Sequence, residues 1–214
     1  MLDIFYNFFG LNEIIFIKLN YITNKGILPY ILHAISSIFF IANFAACYIL
    51  TCIYFYFKAR KAQNIESYFT PIYNELVRIG TCYAIFGFTF AGLKFSFNMP
   101  RPFCSLSPDQ FLTIANTEIE RCLSSFPSAH TGLSILVTYV LWPHINRSTK
   151  LICCLVIASV AISRITLAMH YPADIIYSAL VTLAVITVGN IIYKMLKSSI
   201  VDPIKKIIIR LIFQ

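Results

Sequence analysis

The sequence predicts an all-α protein, a polytopic membrane helical bundle, and its composition and hydropathy patterning lead to that prediction. Hydrophobic residues make up 58% of the 214 residues and charged residues only 12%. The mean hydropathy is +0.75, far above the average of soluble domains. Several apolar stretches reach the roughly 20 residues that cross a hydrocarbon core. Because backbone groups in lipid must be satisfied within their own segment, these stretches are expected to be helices.

Five stretches are predicted to span the membrane, at residues 28–57, 74–97, 127–146, 150–168 and 172–194. The first 26 residues are apolar enough to touch a bilayer, but Asn12, Glu13, Lys18 and Asn20 make them a poor central span. Three alternatives remain open for this segment: an interfacial, a re-entrant or a sixth spanning helix. No repeat, low-complexity tract or composition break divides the chain. Residues 1–214 are therefore expected to form a single membrane-embedded domain.

The formal net charge of +8 indicates orientation rather than nucleic-acid binding. Basic residues cluster at positions 58–61, 147–150 and 194–210, each beside a predicted span. By the positive-inside rule these clusters are cytoplasmic, which places the 98–126 loop outside. Residues 198–214 then form an amphipathic helix on the cytoplasmic leaflet. Nucleic acid is not an expected partner, because the charge is divided among short loops without a recognition motif.

Three polar segments stand at the ends of apolar stretches, where an unused charge would be costly to keep. They are Lys94 with Arg101-Pro102, then Pro127-Ser128-Ala129-His130, then Ser163-Arg164 followed by His170 and Asp174. The predicted topology brings all three to the non-cytoplasmic face, although up to 80 positions separate them in sequence. This convergence indicates a functional site.

The residue types in these segments favour phosphoryl transfer. Its transition state spreads negative charge over the equatorial oxygens, so catalysis depends mainly on positioning and cations. Lys94, Arg101 and Arg164 supply positive charge, and arginine offers planar, multi-donor contacts to phosphate. A helix that begins at Pro127 leaves the N–H groups of Ala129 and His130 free at its positive end, which is a natural anion site. Ser128 adds a hydroxyl group.

The spacing of His170 and Asp174 is suited to holding a nucleophile. The two residues are four apart, and Pro172 between them fits the first turn of a new helix. Asp174 is expected to accept a hydrogen bond from one ring nitrogen of His170. The other nitrogen is then directed toward phosphorus with its lone pair free.

At these residues the chain resembles the type 2 phosphatidic acid phosphatase superfamily. The family pattern is Lys-x6-Arg-Pro, then Pro-Ser-Gly-His, then Ser-Arg-x5-His-x3-Asp, and the resemblance covers residues 94–174. It implies a phosphohistidine intermediate on His170, with His130 protonating the leaving oxygen and then activating water. Asp174 completes the implied catalytic set. The implied phosphate-binding residues are Lys94, Arg101, Ser128, Ala129 and Arg164.

The implied activity is hydrolysis of a lipid phosphate monoester or diphosphate. Undecaprenyl diphosphate, phosphatidylglycerol phosphate, phosphatidic acid and lipid A are the substrates implied by the resemblance, and the motifs do not separate them. The expected partners are this phosphorylated lipid and the surrounding membrane lipids. No metal or cofactor is expected, because protein side chains already supply the cations. The expected location is a bacterial inner membrane, with the site on the periplasmic or outer face.

Two alanines depart from the family pattern: Ala129 replaces a glycine of the second motif, and Ala168 replaces a common glycine two residues before His170. Alanine keeps the backbone N–H but has less access to positive φ. The expected effect is on pocket shape. Two alternatives to a hydrolase remain: a lipid phosphotransferase with a diphosphate donor, and a non-catalytic membrane scaffold or sensor.

Two of the seven cysteines, Cys104 and Cys122, lie in the predicted outer loop. If the loop faces an oxidising compartment, a Cys104–Cys122 disulfide would close it and stabilise the fold by about 3 kcal/mol. The alternative is two free thiols. The other five cysteines fall within predicted spans and are expected to pack as small apolar residues.

Overall fold

A computed structural model describes residues 2–212, so Met1, Phe213 and Gln214, which belong to the predicted terminal segments, lie outside the described residues. The described chain is all-helical, which confirms the predicted fold class. Its helices are α1 Leu2–Asn7, α2 Leu11–Thr23, α3 Leu28–Ile38, α4 Ile41–Ala59, α5 Ile65–Phe97, α6 Pro102–Ser105, α7 Ala129–Leu141, α8 Arg147–Thr166, α9 Pro172–Leu196 and α10 Asp202–Ile212.

Four helical segments of the described chain are long and apolar enough to cross a membrane. They are Ile41–Ala59, Ile65–Phe97, Arg147–Thr166 and Pro172–Leu211, the last running from α9 into α10. The predicted count of five is therefore not confirmed. The predicted 28–57 span is divided into α3 and α4, and the predicted 127–146 span contains only the 13 residues of α7.

Both interruptions have local causes. Pro143 lies within the short 3-10 turn Trp142–His144 that follows α7, and proline cannot continue a helical hydrogen-bond ladder. At the end of α3, the Ser37 hydroxyl donates to the Ala34 carbonyl at 2.8 Å, and the Phe39 N–H donates to the Ser36 carbonyl at 3.0 Å. Serine side chains that bond the nearby backbone compete with helix propagation.

The N-terminal segment forms two helices rather than one continuous span. Gly10 has a φ of +88°, a conformation that glycine adopts without strain, and it separates α1 and the 3-10 turn Phe8–Gly10 from α2. With 13 residues, α2 is about 20 Å long, shorter than a hydrocarbon core of about 30 Å. The choice among an interfacial, a re-entrant and a spanning position for this segment stays a prediction.

The chain divides into two compact units. One takes in the chain up to Ile41 together with residues 89–182; the other takes in residues 42–88 and the chain from Leu183. The expectation of a single domain stays a prediction. In the first unit α2, α3 and α7 all pack against α8. Its buried apolar cluster includes Phe16, Ile165 and Tyr171, and the rings of Phe16 and Tyr171 meet edge to face at 5.3 Å.

The second unit contains polar groups within its apolar helices. Arg78 pairs with Glu75 one turn earlier, and its guanidinium also donates to the Asn190 side chain at 3.1 Å. Gly189 packs closely on Cys82, since a Cβ at position 189 would lie 2.7 Å from the Cys82 Sγ. The predicted C-terminal helix is present as α10, where Lys205 pairs with Asp202 at 3.0 Å. Its position on a membrane leaflet stays a prediction.

Buried asparagines of α2 hold together the elements that carry the polar motifs. The Asn20 side chain is fully buried and donates to the carbonyls of Ile165 at 3.0 Å and Leu112 at 2.9 Å. Its oxygen accepts from the Leu112 N–H at 2.7 Å. The Asn12 side chain accepts from the Ala173 N–H at 2.9 Å. These bonds join α2 to the 98–126 loop and to the α8–α9 connection.

Candidate active site

The first unit brings every predicted site residue to one end of its helices. Lys94 lies in the last turn of α5 and Arg164 in the last turn of α8, whereas Asp174 lies in the first turn of α9. Ser128 is the N-cap of α7, and its N–H donates to the Asp174 carbonyl at 3.3 Å. The segment that contains His170 connects α8 to α9. Residues distant in sequence therefore form one cluster.

Two of the three predicted cations meet at Ser124. The Lys94 Nζ donates to the Ser124 carbonyl at 2.5 Å, and the Arg101 Nη2 donates to the Ser124 hydroxyl at 3.2 Å. The Arg101 Nη1 also pairs with the Glu120 carboxylate at 2.6 Å and contacts the Met169 sulfur at 2.9 Å. These contacts fix the guanidinium, and only 9% of the Arg101 residue is exposed.

A pairing of two loop segments positions Arg101. Its N–H donates to the Cys122 carbonyl at 2.9 Å, and the Ser125 N–H donates to the Met99 carbonyl at 3.0 Å. Cys104 and Cys122 form a disulfide with a Cα–Cα distance of 5.7 Å across 18 residues of sequence. The disulfide lies directly beside the paired segments. It therefore restrains the part of the loop that places the Arg101 side chain.

Arg164 is a buried cation with few partners. Only 7% of it is exposed, its Nη1 donates to the Ser36 hydroxyl at 3.2 Å, and its Nε has no hydrogen-bond partner. Among the side chains described, those of residues 5–211, no carboxylate forms an ion pair with it. An unpaired buried charge is costly, and an anion that arrives with several acceptor oxygens removes that cost.

The Asp174 carboxylate is fully buried and held by three donors. The Tyr6 hydroxyl donates to Oδ1 at 2.8 Å, and the Ser125 hydroxyl and the Tyr171 N–H donate to Oδ2 at 2.5 and 2.8 Å. The His170 Nδ1 faces Oδ2 at 3.5 Å, beyond the usual hydrogen-bond range of about 2.7–3.2 Å. In the described part of the chain this nitrogen has no hydrogen-bond partner.

The expected His170–Asp174 hydrogen bond is thus approached but not formed. Tyr6, Ser125 and Tyr171 already occupy acceptor positions of the carboxylate, which accounts for the longer separation. Catalytic hydrogen bonds are often long in unliganded sites and shorten when substrate binds. The arrangement still keeps the Nδ1 edge of His170 beside a carboxylate and directs the opposite ring edge away from it.

Burial and neighbouring cations lower the pKa of His170 well below its ordinary value. Burial is the largest cause, followed by the positive charges of Lys94, Arg164 and Arg101, while a hydrogen bond with the Ser125 backbone acts in the opposite direction. The imidazole is therefore neutral at physiological pH. A neutral imidazole keeps the lone pair that nucleophilic attack requires.

The start of α7 supplies backbone donors beside the two histidines. Ser128 is fully buried and its hydroxyl shares a 3.0 Å hydrogen bond with the Thr131 hydroxyl. Ala129 and His130 are the first helical residues, so their N–H groups have no acceptor within the helix. The His130 ring is partly exposed, with Phe40 at a centroid distance of 6.4 Å. Burial, followed by the positive charges of Arg164, Lys94 and Arg101, lowers the pKa of His130 below its ordinary value.

The two alanines that replace family glycines differ in backbone conformation. Ala129 is helical and requires no positive φ, so a glycine there would serve no conformational purpose. Ala168 has a φ of +55°, a left-handed conformation that costs alanine about 1–2 kcal/mol. It is fully buried, and its carbonyl accepts from the Phe103 N–H at 3.4 Å. The strain is confined to the turn immediately before His170.

The site residues that the sequence analysis did not predict include Tyr6, Glu120, Ser124 and Ser125. Ser124 and Ser125 directly precede the Phe126-Pro127-Ser128 motif, and a polar pair adjoining a motif is a signal that the sequence does contain. Tyr6 and Glu120 are distant from the residues they contact, and no local pattern marks them. Over residues 2–212, no group of three or more His, Cys, Asp or Glu side chains is arranged to hold a metal ion.

The fold and the site define a helical membrane protein in which cations, imidazoles and a helix N-terminus form one buried cluster. The PAP2 superfamily matches residues 75–198, and the chain belongs to this superfamily, which confirms the resemblance. The crystal structure of Aquifex aeolicus LpxE has a similar fold, with a TM-score of 0.64 and 18% sequence identity. That match covers 84% of this chain and 94% of LpxE. No curated protein matches the sequence. Superfamily membership supports a lipid phosphatase of the PAP2 type.

Proposed function

We propose that this protein is a membrane phosphatase that hydrolyses a phosphate monoester or diphosphate of a lipid through a phosphohistidine intermediate. The observation that most favours the proposal is Arg164, a buried arginine without an ion pair in the described chain, close enough to His170 to lower its pKa. A phosphate group placed between them supplies the missing negative charge. It also presents phosphorus to a neutral imidazole.

Phosphate binding uses charge and backbone donors together. The proposed ligands are Lys94, Arg101, Arg164, the Ser128 hydroxyl and the N–H groups of Ala129 and His130. The arginines offer multi-donor contacts, and the positive end of α7 favours an anion. Because negative charge spreads over the equatorial oxygens in the transition state, these donors stabilise it more than the ground state.

The proposed reaction has two displacements. Binding of the negatively charged phosphate offsets the surrounding cations and allows His130 to hold a proton. In the first displacement, the His170 nitrogen that faces away from Asp174 attacks phosphorus, the bond to the leaving oxygen breaks, and the protonated His130 donates its proton to that oxygen. In the second, His130 takes a proton from water as the water oxygen attacks phosphorus. The phosphorus–nitrogen bond then breaks, releasing inorganic phosphate and restoring His170. Asp174 stabilises the positive imidazole in between.

The proposed substrates share a phosphate and a hydrocarbon chain: undecaprenyl diphosphate, phosphatidylglycerol phosphate, phosphatidic acid and lipid A. The site is proposed to open on the periplasmic or outer face of a bacterial inner membrane. This proposal rests on the basic clusters at 58–61, 147–150 and 194–210, none of which lies in the 98–126 loop. Protein cations take the place that metal ions hold in other phosphoryl-transfer sites.

The test is phosphate release by the purified protein from these four lipids, with and without a chelator. His170→Ala is expected to lose all turnover, because it removes the proposed nucleophile. The matched control is His144→Ala, which removes an exposed histidine in the turn after α7. Vanadate is expected to inhibit as a phosphate mimic.

Turnover that needs added magnesium and survives His170→Ala would overturn the mechanism. Turnover that requires a second lipid as acceptor would identify a phosphotransferase.

A further inference from the structure

An aromatic cavity of about 470 Å³ lies beside the proposed phosphate site in the first unit. Its lining residues are Phe5, Tyr6, Phe97, Met99, Phe126 and Tyr177. The volume is within the range of about 300–1,000 Å³ that is usual for sites enclosing small ligands. The lining contains no charged side chain. The chemistry of this cavity is therefore opposite to that of the cationic cluster next to it.

Each side of the cavity adjoins a residue of the phosphate site. On α5, Phe97 lies three positions, about one helical turn, after Lys94. On α9, Tyr177 lies three positions after Asp174. Phe126 stands between Ser125, which bonds Asp174, and the start of α7.

Tyr6 belongs to both regions. Its ring lines the cavity, and its hydroxyl donates to the Asp174 carboxylate at 2.8 Å. A ligand that filled the cavity would therefore contact the far side of the ring that holds the catalytic carboxylate.

The cavity walls form one aromatic cluster around Phe126. Its ring meets those of Phe97, Tyr177 and Tyr6 at centroid distances of 5.2, 5.8 and 6.1 Å. The Tyr177 hydroxyl donates to the Phe5 carbonyl at 2.8 Å, which fixes the N-terminal wall to α9. Phe5 and Phe97 remain 64% and 40% exposed, so the cavity is open on that side. The cavity therefore offers an elongated apolar group both an entrance and an aromatic surface to pack against.

We propose that this cavity binds the hydrocarbon chain of the lipid substrate and thereby selects substrates by chain length. The inference rests on the proposed phosphatase function, because the chain must be attached to the phosphate that the cations hold. Head-group phosphate and chain then occupy adjacent sites of opposite chemistry. Tyr6 and Phe126 form the boundary between them.

The kinetic test uses phosphatidic acids of increasing acyl length in nanodiscs of fixed composition, with glycerol 3-phosphate as the chainless substrate. The Phe97→Trp substitution narrows the cavity. The kcat/KM of this variant, divided by that of the unchanged protein, is expected to fall with each methylene added to the acyl chain, and to be at least tenfold lower at 16 carbons. Because the variant and the unchanged protein are compared on the same lipid, the ratio of their kcat/KM values does not depend on how strongly that lipid partitions into the nanodisc. The matched control is Phe95→Trp, on the same helix but 67% exposed and outside the cavity. Its ratio is expected to be independent of chain length.

A second variant separates chain binding from a structural defect. Phe97→Ala removes one wall and is expected to shift the preferred acyl length upward, opposite to the effect of Phe97→Trp. A folding defect would lower turnover of all lengths alike, as well as of glycerol 3-phosphate. Equal losses at every length in both variants would overturn the proposal, as would a Phe95→Trp profile that matches Phe97→Trp.

Crosslinking tests the cavity independently of turnover. An alkyl phosphonate with a diazirine at the far end of its chain is expected to label peptides that contain Phe97, Met99 or Phe126, with labelling suppressed by excess phosphatidic acid. Labelling confined to other helices would exclude the cavity as the chain site. If the cavity is labelled while no lipid is hydrolysed, the chain site stands and the proposed phosphatase function is wrong.

Discussion

At the scale of single residues, the hydroxyl of Tyr6 is a positioning group for the Asp174 carboxylate. Asp174 would keep Ser125 and Tyr171 as donors in a Tyr6→Phe variant, but Oδ1 would lose its hydroxyl partner at 2.8 Å. A hydrogen bond to a charged group contributes about 1.5–3 kcal/mol. We therefore expect kcat to fall by about tenfold or more, with the KM for glycerol 3-phosphate within twofold of the unchanged value.

Steady-state kinetics of Tyr6→Phe and Tyr21→Phe provide the measurement. Tyr21 is the matched control because it also lies in the N-terminal segment and donates its hydroxyl to a backbone carbonyl, that of Asp109, at 2.6 Å. It touches no site residue, so its kcat is expected to be unchanged. A rise in KM with constant kcat in Tyr6→Phe would contradict the positioning role.

The lowered pKa of His170 predicts a pH dependence of stability. The unfolded chain binds a proton near pH 6.5, whereas the folded chain keeps the imidazole neutral, so folding stability falls as the pH drops below about 6.5. Thermal unfolding in detergent is expected to show a smaller loss in His170→Gln than in the unchanged protein. The exposed-site variant His144→Gln is expected to follow the unchanged protein, and equal losses in all three would refute the assignment.

At the scale of secondary-structure elements, α2 is held in place by polar groups rather than by apolar packing alone. Asn20→Ala would leave the Leu112 N–H without its acceptor and would remove one donor from the Ile165 carbonyl, which keeps the Ala168 N–H. Each unsatisfied buried group costs about 1–3 kcal/mol. We expect the free energy of unfolding to fall by about 3 kcal/mol, measured by chemical denaturation.

The matched control for Asn20→Ala is Lys18→Ala, which changes an exposed side chain of the same helix. Its effect is expected to stay within about 0.5 kcal/mol, as is usual for surface substitutions. The kinetics supply a second check, since loosening α2 also loosens Tyr6 and should lower kcat. Equal stability of the two variants would show that the Asn20 hydrogen bonds contribute little.

The helix ends near the site could be predicted from sequence because their signals are local. The last turns at Lys94 and Arg164 and the start of α9 at Pro172 follow from apolar periodicity and from proline. The division of 28–57 was not predicted, because a serine whose hydroxyl bonds a carbonyl three residues earlier also occurs within continuous helices and does not by itself mark a helix end. The Asn20 contacts reach over 92 and 145 positions, and a single sequence carries no signal of that range.

At the scale of the whole molecule, the placement of charge along α8 predicts the orientation in the membrane. Arg147 begins this 20-residue helix and Arg164 lies in its last turn, so the two stand at opposite ends of about 30 Å of helix. Asn20 ties Leu112 of the 98–126 loop to the Arg164 end. If the basic clusters are cytoplasmic, the loop and the site face the other side.

Cysteine labelling in spheroplasts measures this orientation. Glu118→Cys, an exposed position in the loop, is expected to react with a membrane-impermeant maleimide in intact spheroplasts. Arg147→Cys, exposed at the other end of α8, is expected to react only after permeabilisation. The unchanged protein measures the background from its native thiols. The reverse labelling pattern would place the active site on the cytoplasmic face.

The superfamily match begins at residue 75, whereas Tyr6, Asn12 and Asn20 all precede it. If the cavity selects the lipid chain as proposed, its walls come from both stretches of the chain. Two lining residues precede the match and four lie within it: Phe5 and Tyr6, then Phe97, Met99, Phe126 and Tyr177. The first helices then complete a site whose phosphate-binding residues lie in the superfamily segment. A graft of the N-terminal 26 residues between relatives should accordingly change lipid preference only in part, because four of the six cavity residues stay the same.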